Sequence, residues 1–232
     1  TEIGDRPGIA SNNGNLGNAY RRLGQYHKAI EYYKKGLQIS TEIEDRSGIA
    51  SNNGNLGVAY SIIGEHQKAV EYFKKGLQIS TEIGDRSRIA INNVNLGSTY
   101  RNLGEYQKAI ECCEKGLEIF TEIGDRPEIA NTNGRLGNVY RSLGEYKKAI
   151  DYHEKGLQIS TEIGNLPGIA SSDSNLGVAY FYSGEYRKAI NYHEKGLKIS
   201  EKIGDRSGIA SDYGNLGNAY RNLGEYQKAI KY

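Results

Sequence analysis

Methionine and tryptophan do not occur in this chain at all, and its 232 residues include only three prolines and two cysteines. A chain without methionine even at position 1 is expected to be a segment of a longer protein, whose targeting signals would lie elsewhere. Cys112 and Cys113 are sequence neighbours, so they supply neither a disulfide framework nor spaced metal ligands. Asn-x-Ser/Thr is also missing, and both absences point to a reducing, cytoplasmic setting. No apolar run approaches the roughly 20 residues that cross a bilayer, so no membrane association is expected. Neither sign of charge dominates, with Lys+Arg 30 against Asp+Glu 28, which argues against a general nucleic-acid or membrane-surface binder.

What the chain has instead is glycine (30), tyrosine (19) and a strict internal period. GDR recurs at 4–6, 84–86, 124–126 and 204–206. NLG stands at 15–17, 55–57, 95–97, 175–177 and 215–217, and KAI at 28–30, 108–110, 148–150, 188–190 and 228–230. A forty-residue unit therefore accounts for the whole chain. The units run 7–46, 47–86, 87–126, 127–166 and 167–206, with a partial sixth at 207–232, and residues 1–6 read as the tail of a preceding second helix.

Each unit reads as two helices. Tyr26, Ala29, Ile30, Tyr33, Leu37 and Ser40 follow the i, i+3, i+4, i+7 spacing of a half-buried helix, here termed helix B, over about 25–43. Ile9, Leu16, Tyr20 and Leu23 fall on one side of an earlier helix A over about 7–23, and Gly24 suits the left-handed turn between them. Pro7, Pro127 and Pro167 share one position with Ser47, Ser87 and Ser207. Proline suits a first helical residue and serine an N-cap, so the position marks the start of helix A. Gly17, and Gly36 in helix B, are expected where a neighbouring helix comes close.

The segment NLGNAYRRLGQYHKAIEYYKKGL (15–37) resembles the tetratricopeptide repeat through Leu16, Gly17, Tyr20, Gly24, Tyr26 and Ala29 and their copies. The resemblance implies an all-α, right-handed superhelical solenoid of antiparallel helix pairs. The chain departs from that pattern where Asn13, Asn53, Asn93, Asn133, Asp173 or Tyr213 replaces an early aromatic, and where helix B runs on through ISTEIGD without a proline. The forty-residue period and the GDR joint are similar to the Pins/LGN group of adaptors and to arrays attached to caspase-like (CHAT) domains.

Helix A is odd in composition. Ser11, Gly14, Asn15, Asn18 and Arg22 form one stripe with Arg21 at its edge, opposite Leu16, Tyr20 and Leu23. Solvated helix faces favour Lys, Glu and Gln, yet residues 10–22 and their copies contain no Lys or Glu. Asn and Gly each cost roughly 0.5–1 kcal/mol against Ala, a cost repeated in every copy. The resemblance implies that helix A lines the concave groove, which makes this stripe a partner-binding surface. One row is Asn15, Asn55, Asn95, Arg135, Asn175 and Asn215. A second contains Asn18, Val58, Asn138, Val178 and Asn218. The last turn adds Arg21, Arg22, Ile62, Arg101, Asn102, Arg141, Phe181, Tyr182 and Arg221. Arginine forks suit carboxylates, and Val58/Ile62 and Val178/Phe181/Tyr182 read as apolar sockets. The expected ligand is an acidic peptide or protein segment with spaced apolar anchors.

No catalytic residue, metal site or cofactor is expected. His66, His153 and His193 stand where other copies carry tyrosine, Cys113 takes the slot of Tyr33, and no histidine pairs with Cys or a carboxylate at metal-ligand spacing within one copy. Gly-Asn-Leu-Gly lacks the flanking strand and the Lys-Ser/Thr of a phosphate loop. Nucleic acid is disfavoured because tyrosines such as Tyr20 face the core and the stripe has no Lys. Two other roles fit the pattern: head-to-tail self-association of the array, and the sensor portion of a larger signalling protein.

Overall fold

The computed structural model describes residues 5–232, and the regular structure among them is helical. The helices are α1 (Arg6–Arg22), α2 (Tyr26–Glu42), α3 (Arg46–Ile62), α4 (His66–Glu82), α5 (Arg86–Asn102), α6 (Tyr106–Ile123), α7 (Arg126–Ser142), α8 (Tyr146–Glu162), α9 (Leu166–Tyr182), α10 (Tyr186–Ile203), α11 (Arg206–Asn222) and the short α12 (Tyr226–Ala229). Odd-numbered helices are A, even-numbered ones are B. The chain divides into two compact units, one ending at Ile119 and the other spanning Phe120–Tyr232. The tail expected at 1–6 lies outside the described residues except for Asp5 and Arg6, and Arg6 already opens α1.

Each A helix is capped by an acid or amide, not by the expected serine. Oδ1 of Asp5, Asp45, Asp85, Asp125, Asn165 and Asp205 accepts a backbone N–H from the first turn at 2.9–3.2 Å. Helix A thus begins at the arginine or leucine before the Pro/Ser position, one residue earlier than the sequence reading. Proline tolerates the second helical position for the same reason as the first, since that N–H has no intrahelical partner. Gln25, Glu65, Glu145 and Glu185 precede α2, α4, α8 and α10 as N-cap residues without a side-chain cap hydrogen bond. Turns close on left-handed glycines such as Gly24 (φ 72) and Gly64 (φ 82), and Glu44 (φ 56) holds that conformation without being glycine.

Within the first unit α1 packs on α2, α2 on α3, α3 on α4 and α4 on α5; the second unit repeats the scheme from α7 to α12. Successive A helices also touch, α1 with α3 and α3 with α5, then α7 with α9 and α9 with α11. The backbones of α2 and α4, and of α8 and α10, stay farther apart than those of successive A helices, so the A side of each unit is the more closely packed.

The core is a ladder of small and aromatic groups. Ala29, Tyr33 and Ser40 are buried in α2, and their copies repeat the pattern. Leu176 joins Tyr180 and Ala189 and rests on Ile150 and Leu157 of the preceding B helix. Leu16, its counterpart in α1, is 45 % exposed, and Ile9 and Leu23 are exposed too, so the expected burial of this face holds only where another repeat precedes it. Tyrosines pair across the helical hairpins other than α5/α6, where Cys112 takes the second position: Tyr20 stacks on Tyr32 at 5.1 Å and Tyr140 on Tyr152 at 5.2 Å, with Lys28 and Lys148 over the A-helix rings.

Candidate functional site

The asparagines of helix A divide into two populations. Asn52, Asn53, Asn92, Asn93 and Asn133 are buried between repeats. Nδ2 of Asn53, Asn93 and Asn133 donates to the carbonyl four residues back at 2.8–2.9 Å, and Asn52 does the same to Gly48. These residues belong to the packing, a role the sequence reading did not give them. Their signal was present in the period, since Thr132 and Asp212 occupy the same column as Asn52 and are also fully buried. Asn55, Asn95, Asn175 and Asn215, by contrast, are half-buried on the outer face of helix A.

Gly17 explains how helix B contributes to this face. A Cβ on Gly17 would lie 2.5 Å from the Tyr33 ring, so the ring crosses helix A over bare backbone. Beyond it the Tyr33 hydroxyl donates to Asn18 Oδ1 at 2.8 Å. The same slot holds Phe73 over Gly57, Cys113 over Gly97, His153 over Gly137 and His193 over Gly177.

Between successive A helices the surface opens into cavities. One of about 290 Å³ in the first unit is lined by Asn15, Asn18, Asn55, Ser40 and Asn52, with Arg88 at its edge. One of about 420 Å³ in the second unit is lined by Arg135, Asn138, Asn175, Ser160 and Ser172, the same positions 120 residues later. In the first, Ser40 Oγ and Asn52 Oδ1 are buried without a hydrogen-bond partner. A smaller cavity of about 130 Å³ brings together Arg141, Val178, Phe181, Tyr182, His193, Asn215 and Asn218. Asn218 and Arg221 also border an open hollow beside Tyr232. Arg21, Arg22, Val58, Ile62, Asn95, Arg101 and Asn102 lie half-buried or exposed on their own A helices.

Two features differ from the sequence expectation. Phe181 is shared between surface and core, packing on the Leu176 cluster and on the Ile190, Leu216 and Ala219 cluster. Acids also approach the arginines from the start of helix A. Arg88 pairs with Asp85 at 2.6 Å, and Arg135 Nε donates to Asn131, whose amide reaches Glu128 at 3.2 Å. Arg88 and Arg135 are therefore held by neighbours from the start of their own helices.

Two histidines in the ring slot have different surroundings. His153 is fully buried, and neither ring nitrogen has a hydrogen-bond partner. Burial, helped by the nearby Arg141 charge, lowers its pKa to about 4. His193 is equally buried, but its Nδ1 lies 2.8 Å from Asp212 Oδ1, and Asp212 Oδ2 accepts the Ser174 hydroxyl at 2.9 Å. The histidine belongs to one repeat and the carboxylate to the next, so a search within single copies passes over the pair. Among the described residues no group of three or more His, Cys, Asp or Glu could hold a metal ion.

The family model of the tetratricopeptide repeat matches residues 8–82, 88–162 and 168–232, each full match covering two helical hairpins. The chain belongs to the tetratricopeptide repeat family. No curated protein matches it. Among solved structures it is similar to BtubC from P. vanneervenii, with 22% identity, a TM-score of 0.72, and 91% of this chain and 86% of that one covered. It also resembles a signal-transduction ATPase with a tetratricopeptide repeat sensor from Pyrococcus horikoshii (22% identity, TM-score 0.78, 99% of this chain, 37% of that one). A third is a Rap protein complexed with competence and sporulation factor (17% identity, TM-score 0.74, 94% and 71%). At these identities the likeness speaks for the fold. No helix of the described residues is long and apolar enough to cross a membrane.

Proposed function

We propose that this tetratricopeptide array is a cytoplasmic, non-catalytic scaffold that holds an acidic peptide segment along the outer face of its A helices. The observation that carries the reading is the cavity series, in which Asn15, Asn18 and Asn55, then Arg135, Asn138 and Asn175, converge from successive repeats. Amides both donate and accept, which suits a peptide backbone, and guanidinium forks suit carboxylates. Val178, Tyr182 and the exposed Ile62 serve apolar anchors of the ligand. The narrower likeness to Pins/LGN-type adaptors and to CHAT-associated arrays rests on the forty-residue period and the GDR joint, and fits the same role. So does service as the sensor part of a larger signalling protein. A Rap protein of this fold is described in complex with competence and sporulation factor.

Replacing Arg101 and Arg141 together with alanine is expected to weaken an acidic peptide at least about tenfold and to flatten its salt dependence, as measured by fluorescence anisotropy. Unchanged affinity would sink the reading. A second role is head-to-tail self-association, in which the end repeat of one copy packs on the face of another as successive repeats do within the chain. A second copy stacked on that face would be a heterologous contact. Light scattering over a concentration series should then show growing assemblies, and a constant monomer mass would remove this role.

A further inference from the structure

His193 and Asp212 form a buried polar pair at the edge of a surface cavity, an arrangement found with neither Tyr33 nor Phe73 in the same slot. Their partners fix the chemistry. Asp212 already accepts the Ser174 hydroxyl through Oδ2, and its Oδ1 faces His193 Nδ1 at 2.8 Å. A carboxylate at that distance holds the hydrogen on Nδ1, so Nε2 is the nitrogen left to gain or release a proton. A Cβ on Gly177 would lie 2.6 Å from Nε2, so this edge of the ring crosses the bare backbone of α9. Tyr33 crosses Gly17 in the same way and reaches Asn18 of the groove row; the shorter His193 ends at the wall of the cavity that Val178 helps to form.

That cavity holds about 130 Å³, the space of one side chain and well short of a cofactor pocket. Arg141 of α7 supplies a guanidinium, Asn215 and Asn218 of α11 supply amides, and Val178 and Tyr182 supply apolar walls. The charged groups around the histidine come from every element packed on α10. Asp212 on α11 is the carboxylate that meets the ring. Asp173 on α9 is close enough to Asp212 for the two carboxylates to interact, and Lys195 of α10 draws on Asp173. Glu194 of α10 is engaged by the Tyr220 hydroxyl at 3.4 Å. Arg141, on the cavity wall, opposes a second positive charge there.

From this geometry we infer that the cavity is a proton-coupled carboxylate subsite, taking one Asp or Glu side chain of a bound peptide together with a proton at His193. The carboxylate cancels the repulsion from Arg141 and adds its own attraction, so ligand and proton bind more tightly together than either does alone. The subsite rests on the proposed peptide-binding role and gives it a pH dependence. His153, one repeat earlier, has no hydrogen-bond partner, and Ser172 stands in the column that Asp212 occupies for His193, so it lacks the carboxylate on which the coupling depends.

The test uses a fluorescein-labelled peptide of alternating Glu and Leu, with a Gln-for-Glu peptide as control. Affinity is measured between pH 6 and pH 8, and proton uptake by calorimetry in two buffers of different ionisation heat. The wild-type protein should bind the Glu peptide about tenfold more tightly at pH 6 than at pH 8, with net proton uptake, and should lack that dependence for the Gln peptide. His193→Phe places in this slot the residue that Phe73 already is, and Asp212→Asn matches Asn52 and Asn92, so both variants have precedent within the array. Either should abolish proton uptake and with it the tighter binding at pH 6. Undiminished proton uptake in His193→Phe would overturn the subsite while leaving the groove reading intact. Failure of the Glu peptide to bind at any pH would overturn both.

Discussion

His153 and Asp173 are buried titratable groups that respond to acid in opposite directions. For His153 the folded-state pKa of about 4 lies below the unfolded value of 6.5, so below pH 6.5 the unfolded chain binds a proton that the folded one refuses. Stability should fall as the pH drops from 6.5 towards 4, by about 3 kcal/mol in full. His153→Phe should remove that loss in urea titrations at pH 7 and pH 4.5. Asp173 is pushed up to about 6, chiefly by burial, with Lys195 pulling it down and Asp212 pushing it up. Its charged form therefore burdens the fold at pH 7, and the burden is relieved as the pH falls through 6. In the same column Asn53, Asn93 and Asn133 give a hydrogen to a backbone carbonyl, which an ionised aspartate lacks. Asp173→Asn is expected to stabilise the protein at pH 7 by about 1 kcal/mol, or roughly 2–4 °C in Tm, with the gain shrinking towards pH 5. Glu44 is the other residue-scale outlier: Glu44→Gly should add about 1 kcal/mol, because only glycine adopts φ 56 without a Cβ clash.

At the scale of the helix, glycine has two opposite meanings in α7. Gly137 lies beneath the His153 ring, where a Cβ would come within 2.6 Å, whereas a Cβ on Gly134 meets nothing within 4 Å. Gly137→Ala should cost at least about 2 kcal/mol through overpacking. Gly134→Ala should stabilise by roughly 0.5–1 kcal/mol through helix propensity. Thermal melts of the two variants separate the structural glycine from one that leaves room on the outer surface. If Gly134 keeps a ligand cavity open, Gly134→Ala should also weaken binding of the Glu/Leu peptide, since Gly134 lines that cavity.

Position in the array decides what an identical residue contributes to the whole molecule. Leu136 is fully buried and Leu16 is 45 % exposed, although both are the leucine of the same Leu-Gly motif. Leu136→Ala should cost about 2–5 kcal/mol, and Leu16→Ala less than about 1 kcal/mol, by chemical denaturation. Stability that depends on neighbours in this way is what stacked repeats give, since each hairpin buries its second face only against the next.

The sequence by itself determined the period, the two helices per unit, the left-handed turns and the positions that repeat as core, because these follow from backbone geometry and side-chain spacing within forty residues. It also picked out the outer face of helix A, since the lack of Lys and Glu there is visible without coordinates. It misread the cap, because aspartate and serine are both good N-caps and only the folded turn shows which oxygen meets the free N–H. What tertiary structure alone decided are the relations between repeats. It buried Asn52 and Asn92 while leaving Asn55 and Asn95 half-open, and brought Asp212 to His193 across nineteen residues. A single copy carries no record of such pairs, because the two partners sit on different repeats and meet only when one hairpin packs on the next.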